Sequence, residues 1–154
     1  MITCLGDAMF QRVGVAAVQV LRNLGVAVDF PAAQTFCGQP AYNAGHRDAA
    51  RDTARAFLRA FARSDHVVSI CGSCAAMVRE GFPQLFEGAP EEAAAGSLAA
   101  RTFEFSEFLV YVLGVDELPV SRRVTATFHH SCHTRRLLGV VEQPVRLVQI
   151  IDGL

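Results

Sequence analysis

The sequence has no excess of either charge: 14 Lys and Arg face 15 Asp and Glu. Such a balance offers neither a basic surface for a polyphosphate partner nor an acidic tail, so nucleic-acid binding is not expected. No apolar run approaches the ~20 residues needed to cross a bilayer, and the N-terminus lacks the basic, then apolar, then small-residue order of a signal peptide. These absences predict a cytoplasmic chain without a membrane span. Gly-x-Gly-x-x-Gly, Walker A and Gly-x-Ser-x-Gly are missing as well, which leaves nucleotide binding and serine hydrolysis without support. Disulfides are not required: a chain of 154 residues buries roughly 70% of its unfolded surface and can hold a core by packing alone.

What the chain does have is five cysteines, Cys4, Cys37, Cys71, Cys74 and Cys132. In a reducing compartment they read as metal ligands or redox thiols rather than as a disulfide framework. An odd count fits neither full pairing nor one tetrahedral site.

Their setting is repetitive. Val13, Ala17, Val20, Leu21 and Leu24 recur at helical spacing and predict a helix from Ala8 to Leu24, stopped by Gly25. Ala50, Ala54, Phe57, Leu58 and Phe61 predict another between Gly45 and Ser64. "VAVDF" (26–30), "HVVSI" (66–70) and "RVTATFHH" (123–130) read as strands, "CGSCAAMVREGF" as a turn opening into a helix, 91–113 as a further helix, and the C-terminus as a last one. Alternation with short connections predicts an α/β fold, a mainly parallel sheet flanked by helices. In such sheets functional groups gather where strands end, and each cysteine follows a predicted strand. Distant thiols could therefore share one sheet edge.

A weak internal repeat supports a division of the chain. "ITC", 20 residues and Gly25 match "HSC", 20 residues and Gly153, each as strand, cysteine, amphipathic helix and glycine. Residues 1–118 are expected to form one complete unit with a connecting helix, and 119–154 the opening strand and helix of a second.

The two-residue gap of Cys71-Gly-Ser-Cys74 lets both thiols reach one metal or cluster, and an adjacent helix N-terminus favours the thiolate. A redox dithiol at Cys71 and Cys74 uses the same spacing, and free cysteines are also frequent as small buried residues. Spacing alone leaves all three open. Cys4 precedes Phe36-Cys37-Gly38 by 31 residues, and Gly38 precedes Cys71 by 32.

That arrangement, together with "QTFCGQPAYNAG", "GSCAAMVR", "FSEFLV" and "HHSCH", resembles the cysteine-rich CCG family over essentially the whole chain. The family includes iron-sulfur subunits of heterodisulfide reductase and of glycolate oxidase, and the landmarks look like those of its lactate-utilization protein A group. The resemblance implies a Rossmann-like domain and a cytoplasmic electron-transfer subunit without a substrate-converting site of its own. It would work with other subunits of an L-lactate or glycolate oxidising complex. It also implies cysteine-bound iron-sulfur, with Cys4, Cys37, Cys71 and Cys74 as cluster ligands and Cys132 opening a second set. Phe36 stands where the family pattern has the first cysteine of Cys-Cys-Gly. Four thiolates then remain, enough for a 4Fe-4S cubane or a tetrahedral zinc site. Relatives of this pattern continue through a second Cys-Cys-Gly and a second CxxC. Either the chain is a piece of a longer protein or the second site has been lost, and a zinc-bound or metal-free assembly module is the alternative reading.

Other candidates are weaker. His129, Ser131 and His133 would share one face of a strand and His130 with Cys132 the other, so one ion could not gather them without a bend. A role in capping a helix, or in orienting ligands from behind, is expected for this segment instead. Arg47, Arg51, Arg55, Arg59 and Arg63 form a broad basic flank, partly offset by Asp48 and Asp52, that reads as a solvated face. Asp7, Tyr42 and Asn43 read as loop residues. An uncovered sheet edge or apolar face predicts self-association or a partner.

Overall fold

The computed structural model describes residues 1–154 as an α/β chain dominated by short helices around a small parallel sheet. Helix α1 (Cys4–Met9) starts where Thr3 accepts the Gly6 N–H at 3.0 Å, and α2 (Gln11–Asn23) follows at once. After α3 (Gln39–Asn43), α4 (Arg47–Ala60) buries Ala50, Ala54 and Phe57, the face its periodicity predicts. Strand β1 (Val67–Ser69) leads into α5 (Gly72–Ala76). A wide π-type turn, Met77–Gly81, then runs into α6 (Phe82–Leu85). Pro83 has no N–H to give the preceding turn, which accounts for the loosened ladder there.

The sheet is smaller than expected. It has two strands, β1 and β2 (Thr102–Glu104), paired in parallel with Val67 opposite Thr102 and Ser69 opposite Glu104. Strand β2 falls inside the stretch predicted as one helix over 91–113. That helix is α7 (Glu92–Ala100), closed where the Thr102 hydroxyl donates to Leu98 O at 2.7 Å. Beyond β2, Glu104 and Glu107 form a reciprocal capping box for α8 (Phe105–Glu107), and a second π-type turn covers Phe108–Val112.

Three predicted strands are absent. Residues 1–3 reach β1 through one bond, from the Met1 amine to Val68 O at 2.5 Å, and build no ladder. In 26–30, Val26 and Val28 are half-buried against Leu21 and Phe108 while Ala27 and Asp29 are exposed. The period-two burial of a strand is present, but no neighbour pairs with it. Residues 123–129 are exposed throughout, and the nearest pairing is an isolated bridge between Ser121 and Asp152. The predicted last helix is two, α9 (Cys132–Arg136) and α10 (Glu142–Gln149), separated at Gly139 with φ +68°.

Phe57, Phe82, Phe86, Leu85 and Leu98 are fully buried in the main core, and Cys37 and Cys74 lie in the same cluster. The arginine row on α4 is more engaged than a solvated face. Arg51 donates to Leu85 O at 2.9 Å, Arg55 pairs with Glu91 at 2.7 Å, and Arg47 stacks 4.0 Å over Tyr42. These contacts tie α4 to α3, α6 and the start of α7. Between the first π-type turn and α8, Arg79 donates to both carboxylate oxygens of Glu107 at 2.9 Å. No helix is long and apolar enough to cross a membrane.

Candidate functional site

The chain turns sharply just after Cys37, at Gly38. Phe36 is half exposed, whereas Cys37 is 1% exposed. Gly38, at φ +77°, caps α3, and a Cβ there would meet Thr53 Cβ at 3.3 Å and Ala50 O at 3.4 Å. Glycine is needed for both the left-handed backbone and the close approach to α4, which together drive the Cys37 thiol inward.

The CxxC is delivered by β1 and α5. Cys71 sits at the N-cap of α5 in extended conformation. Fully buried Ser69 holds it there: its hydroxyl accepts the Cys71 N–H at 3.2 Å and donates to Cys71 O at 3.0 Å. One helical turn on, Cys74 points into the core, and its Sγ lies 3.3 Å from Cys37 Sγ. The Cys71 Sγ stands 3.2 Å from Ser73 Oγ.

These contacts sort the protons. Interaction with the Cys37 and Cys71 sulfurs, followed by burial and the neighbouring thiolate charges, pushes the Cys74 thiol upward. The bond from Cys74 pulls Cys71 down, against the opposing effect of burial, and Ser73 and nearby N–H groups help bring it to about 5. Cys37 is lowered chiefly by its hydrogen bond with Cys74. Cys37 and Cys71 thus favour the thiolate and Cys74 the protonated thiol.

The structure therefore brings Cys37, Cys71 and Cys74 together. It does not bring Cys4 or Cys132 to them. Each is the exposed first residue of a short helix, α1 or α9, capped by a hydroxyl residue. Both helices are followed by a second helix and then a glycine of positive φ, Gly25 or Gly153. The likeness seen between the two sequence stretches thus extends to their local conformation, without the preceding strands.

As donors, the three thiols suit a thiolate-held iron or zinc centre: they are soft, adjacent and already biased toward deprotonation. No three Cys, His, Asp or Glu side chains stand in metal-ready positions. The 3.3 Å separation of Cys37 and Cys74 is shorter than the ~3.8 Å between two sulfurs on one tetrahedral ion. Loading would spread the pair by a few tenths of an ångström and release the Cys74 proton.

Two clefts flank this region. The larger, about 1230 Å³, runs between α2, residues 26–31 and residues 59–68, is mostly apolar and contains no cysteine. The smaller, about 520 Å³, is the one that matters for the thiols. Cys71, Ser73, Glu104 and Ser106 form one side, and His129, His130 and His133 the other. The expected separation of these histidines onto opposite strand faces does not occur, because 123–130 forms no strand and α9 starts directly after Ser131. Ser131 caps that helix through the Thr134 N–H at 3.3 Å, the capping role expected of the segment. Burial raises the Glu104 carboxyl, against the bonds it accepts from Ser106 and the Glu107 N–H. Ser69, Glu104, Ser106 and Thr134 were not legible as site residues; the only signal was the Glu-x-x-Glu spacing of the capping box around Ser106.

The "Cysteine-rich domain" family, CCG, matches residues 1–79, just over half of the 154-residue chain. The chain belongs to the CCG cysteine-rich family. Its matched CCG region holds Cys4, Cys37, Cys71 and Cys74, and ends within the π-type turn after α5. Similar proteins are named lactate utilization protein A. That of Geobacillus kaustophilus (strain HTA426) is 50% identical over 154 residues, covering 99% of this chain and 64% of its own length. Those of Bacillus velezensis (strain DSM 23117 / BGSC 10A6 / LMG 26770 / FZB42) and Oceanobacillus iheyensis (strain DSM 14371 / CIP 107618 / JCM 11309 / KCTC 3954 / HTE831) are 46% and 44% identical, with 99% of this chain and 64% and 63% of theirs covered. This CCG chain therefore spans less than two thirds of the length of the relatives it matches. No solved structure matches it.

Proposed function

We propose that this chain carries an iron-sulfur centre of a lactate-utilization system, and that Cys37, Cys71 and Cys74 are ligands, with Cys4 the fourth. The observation that carries the proposal is the convergence of thiols from two distant segments, with Cys37 beside Cys74 and Cys71 at the start of the same CxxC turn. When bound, a cluster supplies one-electron chemistry, and the chain would pass electrons between other subunits of an L-lactate or glycolate oxidising complex. The residues' own part is to hold and shield it. Gly38 lets the backbone close in, Ser69 fixes Cys71, and the aromatic core behind Cys74 excludes water. Exposed α1 would have to bring Cys4 inward to complete a four-thiolate set. The cytoplasm, with its reducing poise, suits such thiols.

Anaerobic reconstitution with iron and sulfide tests this. Broad visible absorbance that disappears in Cys37→Ser, Cys71→Ser or Cys74→Ser is the expected result, and protein that stays colourless after careful reconstitution overturns it.

A second reading is favoured by the 3.3 Å contact itself. Oxidation of Cys37 and Cys74 by a cellular disulfide would form one S–S bond between them and break the oxidant's S–S bond, the two protons leaving on the oxidant as it becomes two thiols, making this pair a redox switch. A reduction potential outside the cellular range excludes it.

A further inference from the structure

The CxxC turn is covered by a segment outside the matched CCG region. Gly72 is the residue that permits this. A Cβ on it would overlap Thr134 Oγ1, stand 2.9 Å from Thr134 Cβ and 3.3 Å from Thr134 Cα. Its φ is not in the left-handed region, so alanine suits the backbone and only the contact with Thr134 forbids it.

Thr134 is held in place from its own side. Its Oγ1 lies 2.6 Å from Ser131 Oγ, and Thr134 O accepts the Val140 N–H at 3.0 Å, folding the chain back after α9. The returning Leu138 and Val140 pack on Ala75 and Ala76 of α5 as a separate small core. Small residues on α5 and a bare Gly72 thus allow 131–140 to lie along the CxxC helix.

We propose that Thr134 is a positioning residue for Cys71. Pinned by Ser131 and seated on Gly72, it holds the CxxC turn in register with 131–140, which closes the cleft beside the Cys71 sulfur and sets how fast small polar molecules reach it. The inference rests on the thiol site described above but not on whether that site takes a cluster.

The test is iodoacetamide labelling of the full-length, metal-free, reduced protein, with modification of Cys71 followed by peptide mass spectrometry in four proteins: wild type, Gly72→Ala, Thr134→Gly and the double variant. Each single change is expected to raise the Cys71 rate, Gly72→Ala by roughly tenfold, because one displaces 131–140 and the other leaves a gap. In the double variant the new methyl occupies the space vacated by the threonine. Its rate should return to within about twofold of wild type, a coupling that independent sites do not show. A double variant whose rate is the product of the two single effects, or a Gly72→Ala protein labelled at the wild-type rate, overturns the proposal. If Gly72→Ala does not fold, recovery of a cooperative melt in the double variant supports the contact, and a double variant that is equally unfolded overturns it. Colourless reconstituted protein would remove the cluster reading without touching this result.

Discussion

Cys37 and Cys74, 37 residues apart in sequence, place their sulfurs 3.3 Å from each other in the core. The pair is closer than the CxxC motif alone suggests, since that motif draws attention to Cys71 and Cys74. Mild oxidation with diamide should therefore link Cys37 to Cys74, the sulfurs needing to close to ~2.05 Å. Disulfide mapping by peptide mass spectrometry checks this, and a Cys71–Cys74 linkage would contradict it.

Cys71 should behave as a thiolate in mildly acidic solution. Its pKa, lowered to about 5 chiefly by the Cys74 hydrogen bond, predicts a labelling rate in metal-free protein that plateaus above that pH. The same shift has a stability consequence. A depressed native pKa contributes stability that is fully present above the unfolded value of about 8.5 and is lost as pH falls through about 5. The stability difference between wild type and Cys71→Ser should thus grow from pH 5 to pH 9 in denaturant melts. A difference that is flat across that window argues against the assignment of the proton to Cys74.

The Arg79–Glu107 pair joins the first π-type turn to α8, with side-chain exposures of 27% and 11%. Arg79→Met leaves a largely buried carboxylate without its cation, and should cost roughly 3 kcal/mol. Glu107→Gln keeps one acceptor and should cost less. Urea unfolding of both variants gives the comparison, and equal losses would mean that charge is not the important property.

Gly38→Ala forces alanine to φ +77° against Thr53 and Ala50. A cost of about 1–2 kcal/mol for the backbone alone corresponds to a fall in Tm of roughly 2–8 °C in a domain of this size. Because Gly38 adjoins Cys37, the variant should also bind metal more weakly. An unchanged melt would show that the loop relaxes without strain.

How much of this could be read in the sequence depended on the range of the forces involved. Helix α4 was legible because Ala50, Ala54 and Phe57 carry their burial in their spacing. Strand β1 was legible because a short apolar run between turn signals is a local pattern. Strand pairing is not local: Val26 and Val28 alternate as a strand would, yet nothing pairs with them, while Thr102 and Phe103 pair with β1 from inside a stretch rich in helix formers. The same division holds at the site. The CxxC turn and the sharp bend at Gly38 are local chemistry, whereas the approach of Cys37 to Cys74 and the seat of Thr134 on Gly72 follow from how α4, α5 and α9 pack. The histidine segment shows the limit most plainly, since 123–130 forms no strand and His129, His130 and His133 line the same cleft.

The measurement that bears most directly on the proposed function is the iron, acid-labile sulfide and zinc content of protein purified without oxygen, compared with Cys37→Ser and Cys74→Ser prepared alongside. Iron and sulfide in stoichiometric amounts in the wild type, and their loss in both variants, is the predicted result. Stoichiometric zinc without iron, or no metal at all in carefully handled protein, would contradict it.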